Sequence, residues 1–177
     1  MKPWLRLSAL LQYPDEELVA AGAGIPAWMR ETPLRELQAA YVRAFDFDRR
    51  ASLHLTYHTY GDRRQRGLEL VRLKRRYTDA GLPLEGGELP DYLPVLLEFA
   101  ALVPEDGEAL LNELRAPLEL VRSRLHQTGS PYAELLDALV SALPRPTKAQ
   151  LAAAHKLADE GPPAELVGLE PFTAAAS

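Results

Sequence analysis

Histidine, aspartate and arginine crowd one short stretch of the chain, Ser52 to Gly67, which reads SLHLTYHTYGDRRQRG. His54, His58 and Asp62 recur at intervals of four. On one continuous helix that spacing stacks two imidazoles and a carboxylate on a single face, a ligand set suited to zinc or iron. A metal-dependent helical enzyme built on these three residues is therefore one reading. Gly61 stands against it, because glycine is the residue most often found where a helix stops. Asp62 followed three residues later by Gln65 also resembles a capping box, in which the carboxylate accepts an orphan amide of the next helix. The stretch then predicts a joint: one helix ends at Gly61, Asp62 caps another, and the two histidines line or support a groove.

Other catalytic signatures are missing from the sequence. It contains no G-x-S-x-G elbow, no H-E-x-x-H pair, no P-loop and no calcium loop. GAGIPA (Gly22 to Ala27) has the outline of a shortened dinucleotide fingerprint, but no strand precedes it and Pro26 interrupts it. The chain has no cysteine, which excludes disulfides, thiolate metal sites and cysteine nucleophiles and is compatible with a reducing compartment. Its first residues, MKPWLRLSALLQYP, hold a short apolar run broken by Arg6 and Gln12, with no small-residue cleavage pattern. A soluble cytoplasmic protein without membrane insertion is expected.

Charge narrows the partners. The chain of 177 residues carries a net charge of −5, which weighs against a dedicated nucleic-acid binder. From Asp62 to Asp79, however, seven cations (Arg63, Arg64, Arg66, Arg72, Lys74, Arg75, Arg76) face three acids (Asp62, Glu69, Asp79). Glu85 to Glu119 reverses the sign, with nine carboxylates against the single Arg115. These runs read as solvated helix faces, or as an acidic surface for a cationic partner segment. Carboxylates of the acidic run are expected to hold Arg63, Arg64 and Arg66, tying two helices together.

The elements that must position these residues are helical. Leu7, Leu10 and Leu11 form one stripe, and Leu34, Leu37, Tyr41 and Phe45 another, the second capped by Thr32 with Pro33 in its first turn. From Asp62 to Ala80 the stripe is Leu70, Val71 and Tyr77, stopped by Gly81 and Pro83. ELPDYLPVLLEFAALVP predicts a central helix. A longer one is predicted from about Asp106 to Gln127, with Leu110, Leu111, Leu114, Leu118, Val121 and Leu125 inward and a kink at Pro117. Two more follow, in SPYAELLDALVSAL and from Thr147 to Ala158. Leu53, Leu55 and Tyr57 alternate with polar residues like a strand, but no second run of that quality exists to pair with it. The prediction is an all-α, compact single-domain helical bundle of about six to eight helices over residues 1–158. Residues 159–177 are expected to be a tail that docks weakly or stays mobile, through Leu166, Val167, Leu169 and Phe172.

Five motifs in order carry a resemblance: LLQYPDEEL, YVRAFDF, SLHLTYHTYGDRRQRG, LKRRYTDAGL and ELPDYLPVLLEF. Over about residues 4 to 143 the chain resembles the NarJ family, the nitrate reductase delta subunit or molybdenum cofactor assembly chaperone. That family lies within the TorD and DmsD type of all-helical maturation chaperones. The resemblance implies a protein that catalyses no reaction and needs no cofactor of its own. It would bind the N-terminal segment of the catalytic subunit of respiratory nitrate reductase and hold the apoenzyme competent for cofactor insertion and assembly. It would then leave the finished enzyme. The wider group carries a Glu-Pro-x-Asp-His motif at its peptide groove; here the run is Glu88, Leu89, Pro90, Asp91 and Tyr92, with the proline shifted by one and tyrosine in place of histidine. That departure puts in doubt any role that needs a titrating imidazole there.

A cationic amphipathic client segment would lay its apolar side between helices while rim carboxylates attract its charges. The groove candidates are Tyr41, Phe45, His54, His58, Tyr60, Glu88, Asp91, Tyr92 and Glu98, with core packing as the competing role for the aromatics and helix capping for Asp91. No metal is expected at the site under this reading, and the protein is expected to be a monomer or weak dimer. The competing classes are the metal-dependent enzyme at His54, His58 and Asp62 and a helical nucleic-acid adaptor using Arg63 and Arg64.

Overall fold

The most apolar run of the chain, LPVLLEFAAL, folds as a helix whose residues Leu93, Leu96, Leu97 and Ala100 are wholly shielded from solvent. In the computed structural model, which describes residues 3–21, 24–84 and 86–163, it is the seventh of eleven α-helices. In order these are α1 (Trp4–Leu10), α2 (Glu16–Ala20), α3 (Ala27–Glu31), α4 (Leu34–Tyr41), α5 (Leu55–Tyr60), α6 (Arg64–Asp79), α7 (Leu93–Leu102), α8 (Pro104–Glu113), α9 (Arg115–Gln127), α10 (Ala133–Ala142) and α11 (Lys148–Glu160). A π-helical turn (Val42–Asp46) continues α4, and a 3-10 turn (Arg49–Ala51) follows it. Eight of the α-helices have seven residues or more, so the predicted all-α bundle forms, with three single-turn helices filling its loops. No helix among the described residues is long and apolar enough to cross a membrane.

Two helices organise the packing. α7 lies between α1 and α8, and α9 touches α5, α8, α10 and α11. The α7 and α8 backbones approach so closely at Gly107 that a Cβ there would sit 2.2 Å from the Cα of Ala100. On α9, Arg115 is buried, and its guanidinium donates to Glu119 at 2.8 Å and to the carbonyls of Pro144 and Val140 at 3.0 and 3.4 Å. It thus supplies a donor to the Pro144 carbonyl just beyond α10 and a second donor to the Val140 carbonyl, which also accepts from the Leu143 amide at 3.4 Å.

Several expected details change. The predicted 106–127 helix is two helices broken at Leu114, not one kinked helix. Pro117 lacks an N–H and its ring would strike the carbonyl of residue 113, so the chain starts a new helix in which Pro117 occupies the first turn, where no amide partner is needed. Thr32 does not cap α4; Pro33 holds that position, and the Thr32 hydroxyl donates back to the Trp28 carbonyl at 2.5 Å. On α6 the buried residues are Leu73 and Tyr77, whereas Val71 is 52% exposed. Thr147 does cap α11 through a full capping box with Gln150, and the helix runs to Glu160, two residues past the expected end. The tail residues 164–177, with Leu166, Val167, Leu169 and Phe172, lie outside the described residues.

Candidate functional site

Residues 53–55 and 91–93, far apart in sequence, meet as an antiparallel bridge between His54 and Tyr92. The Leu55 amide donates to the Asp91 carbonyl at 3.0 Å, and the Leu93 amide to the Leu53 carbonyl at 2.9 Å. The strand-like alternation at Leu53, Leu55 and Tyr57 therefore ends in a single bridge. His54 then serves as the N-cap residue of α5, which ends at Gly61 with φ +58°, as the sequence predicts. A side chain at Gly61 would also collide with the carbonyl of Pro163.

The bridge carries the Asp91 side chain into the interior, with 0% exposure. Three donors converge on its carboxylate: Thr56 Oγ1 at 2.5 Å, Arg66 Nη2 at 3.1 Å and His54 Nδ1 at 3.3 Å. Arg66 Nε also donates to Thr56 Oγ1 at 3.3 Å. Burial opposes ionisation of Asp91, but the hydrogen bonds from His54 and Thr56 and the Arg66 charge outweigh it and hold the carboxyl below its ordinary value. An ionised Asp91 can only accept, which fixes the His54 proton on Nδ1. His58 points the other way. It is fully buried and donates from Nε2 to the Ser52 carbonyl at 2.8 Å, leaving Nδ1 without a partner. Burial pushes its basicity down, so it is a neutral imidazole.

This geometry removes the metal reading. His54 precedes α5 and Asp62 follows its end, so the spacing of four spans no continuous helix. Both imidazoles are engaged, and no cluster of three His, Asp or Glu suited to a metal occurs among the described residues. Asp62 is not a cap either; Arg63 occupies the N-cap position of α6, with no side-chain bond to its amides.

Above the bridge lies an aromatic shelf. Tyr92 packs against His54 with ring centroids 5.2 Å apart, and its hydroxyl meets that of Tyr41 at 3.2 Å. Tyr41 in turn donates to the Leu11 carbonyl at 3.2 Å and contacts Phe45, Tyr132 and the half-exposed Tyr13 edge-on. Tyr41 and Phe45 are buried, whereas Tyr92 and His54 stay partly open. Burial chiefly raises the Tyr92 and Tyr41 phenols, and negative charge adds to this, from Glu88 and Asp46 at Tyr92 and from Asp46 at Tyr41. The two phenols are thus neutral, and carboxylates edge the aromatic shelf.

Six of the nine predicted residues gather here: Tyr41, Phe45, His54, Asp91, Tyr92 and Glu88. Asp91 and His58 are fully buried, so neither presents the surface to a partner that the sequence reading expects. Tyr60 lines a separate cavity of about 470 Å³ between α5, α6, α9 and α11, beside Glu69 and Glu113. Glu98 faces α1, accepting from Ser8 at 2.9 Å and Gln12 at 3.4 Å. Thr56 is not among the predicted residues, and of Arg63, Arg64 and Arg66, all expected to be held by the acidic run, only Arg66 is, through Asp91, while Arg63 and Arg64 form no ion pair among the described residues. Arg66 is one residue of a cationic run and Asp91 one of an acidic run, but the run alone does not say which cation turns inward.

The model of the nitrate reductase delta subunit family matches residues 11–138, well over half of the chain. The chain belongs to this family. It is 37% identical over 161 residues to the probable nitrate reductase molybdenum cofactor assembly chaperone NarJ of Bacillus subtilis, covering 77% of this chain and 85% of that one. To the Escherichia coli assembly chaperone NarJ it is 37% identical over 157 residues, 76% of this chain and 66% of the other. The nitrate reductase-like protein NarX of Mycobacterium tuberculosis is 38% identical over 152 residues, and there the matching part spans 23% of that longer protein. Within the delta subunit family match fall both halves of the bridge, the whole of α6 and the whole of α7.

Proposed function

We propose that this protein is a non-enzymatic assembly chaperone for respiratory nitrate reductase. It binds the N-terminal segment of the catalytic subunit and keeps the apoenzyme competent for molybdenum cofactor insertion, in the cytoplasm and outside the finished complex. The reading is carried by the match, over about three quarters of the chain, to relatives named as nitrate reductase molybdenum cofactor assembly chaperones. The shelf at Tyr92 and His54 supports it. Partly exposed rings offer apolar contact to a client helix or extended segment, and Glu88 and Asp46 complement cationic side chains beside it. The buried Asp91 cluster beneath keeps the two rings in register.

Calorimetric titration with a peptide from the start of the catalytic subunit tests this. Binding with a negative heat-capacity change is expected, and Tyr92→Ala or paired Glu88→Gln and Asp46→Asn substitutions should weaken it about tenfold or more. Absence of binding at roughly millimolar peptide, near the −4 kcal/mol level, would remove the reading.

A further inference from the structure

The cations of α6 separate by face. Arg66 is bound to Asp91, Arg72 to Glu69 and Glu113, and Arg76 to Glu113 at 2.9 Å. Arg63, Arg64, Lys74 and Arg75 form no ion pair among the described residues. On the outer face Arg64, Leu68, Val71 and Arg75 follow one another at intervals of four, three and four, within about 40° of one line along the helix. Leu68 is 66% exposed and Val71 52%, an aliphatic pair held between Arg64 and Arg75. Asp79 stands at the C-terminal end of this stripe and is not paired with Arg75.

We propose that the outer face of α6 is a docking surface for an anionic lipid bilayer. The helix lies parallel to the surface, with Leu68 and Val71 at the boundary between headgroups and acyl chains and Arg63, Arg64, Lys74 and Arg75 on the lipid anions. The stripe is convex and lies along one exposed line of a helix. A planar, deformable anionic surface engages Arg64 and Arg75 along that line, lets the long Arg63 and Lys74 side chains reach it from one flank, and takes up the aliphatic pair without needing a complementary pocket. Nucleic acid would use the cations but give Leu68 and Val71 no role, and no aromatic residue stands in the stripe for base stacking. A convex face without aromatic anchors also lacks the usual centre of a protein interface. The chain carries −5 overall, so attraction depends on turning this face to the membrane, which fixes the orientation. The contact is peripheral, and long side chains let the cations reach headgroups while the aliphatics sit deeper.

Co-sedimentation of the full chain with phosphatidylcholine vesicles, with and without phosphatidylserine, tests the proposal. Partition into the phosphatidylserine vesicles alone is expected, falling as salt rises. Arg64→Gln with Arg75→Gln should lower it roughly 30-fold, since each cation near such a surface contributes about fivefold. Leu68→Ser with Val71→Ser should weaken it too. All four side chains are exposed, so circular dichroism and Tm should stay unchanged, and client-peptide binding should be untouched, which separates this result from the chaperone reading. No partition at low salt, or wild-type partition by the arginine variant, overturns the proposal. So does an unchanged aliphatic variant accompanied by equal binding to oligonucleotide or polyglutamate, which would assign the face to an anionic macromolecule.

Discussion

Asp91→Asn removes one negative charge from a side chain with no solvent exposure while keeping its size. The amide oxygen can still accept from Thr56, but Arg66, with its side chain only 17% exposed, loses the anion that compensates it. Removing one partner of a buried pair costs about 3–5 kcal/mol. Arg66 keeps some contact with water, so the lower end applies, about 3 kcal/mol. For a domain of this size that lowers Tm by roughly 6–12 °C. Thermal and urea unfolding read the loss directly. The pH dependence adds a second check. The folded-state Asp91 carboxyl is held below its ordinary value, so its contribution is present above the unfolded carboxylate range near pH ~4 and is lost as pH falls through the lower folded value. The gap between wild type and variant should hold at neutral pH and close below about pH 4. A loss under about 1 kcal/mol, or a gap that widens with acid, would refute an ionised Asp91 paired with Arg66.

Gly61→Ala should destabilise by about 2 kcal/mol, because φ is +58° and the new methyl would overlap the Pro163 carbonyl; chemical unfolding measures it, and a neutral result would show that the 161–163 segment moves aside freely. Arg115→Met should lower stability by about 3 kcal/mol by stripping donors from Glu119, Val140 and Pro144, and Arg115→Lys should recover less than half of it, since one ammonium cannot span the three acceptors of the guanidinium fork. Equal stability of the methionine variant would show that the buried charge pair adds nothing.

Helix existence was legible where apolar residues recur with a helical period, as at Leu7, Leu10 and Leu11 or along α7, because burial of one face is what selects those residues. Boundaries were legible where backbone chemistry is local. Gly61 and Thr147 act where predicted because a positive φ and a capping box depend on neighbours in sequence. Pro117 was misread because the same ring that kinks a helix can also begin one, and tertiary packing decides between them. The Asp91 cluster was half legible. Its members lie in motifs that stand out, yet a bridge joining residue 54 to residue 92 is a long-range pairing that no local period encodes. The Arg115–Glu119 pair was hidden for a similar reason, since i,i+4 ion pairs are ordinary on exposed helices and only the surrounding α10 and Pro144 make this one interior.

Tyrosine at position 92 changes what the bridge can sense. A histidine there would titrate near neutrality and bring a variable charge to the shelf. The Tyr92 phenol is raised by burial and by the charges of Glu88 and Asp46, and it meets the Tyr41 hydroxyl, which continues to the Leu11 carbonyl. Position 92 therefore contributes a fixed hydrogen-bond chain running from the bridge into α1, in place of a charge that appears and disappears. The neighbouring His54 is held by a carboxylate that stays ionised, and His58 is neutral in the core. Attraction of a cationic client near neutral pH then rests on carboxylates, and the Tyr92 and Tyr41 phenols stay protonated while they do so.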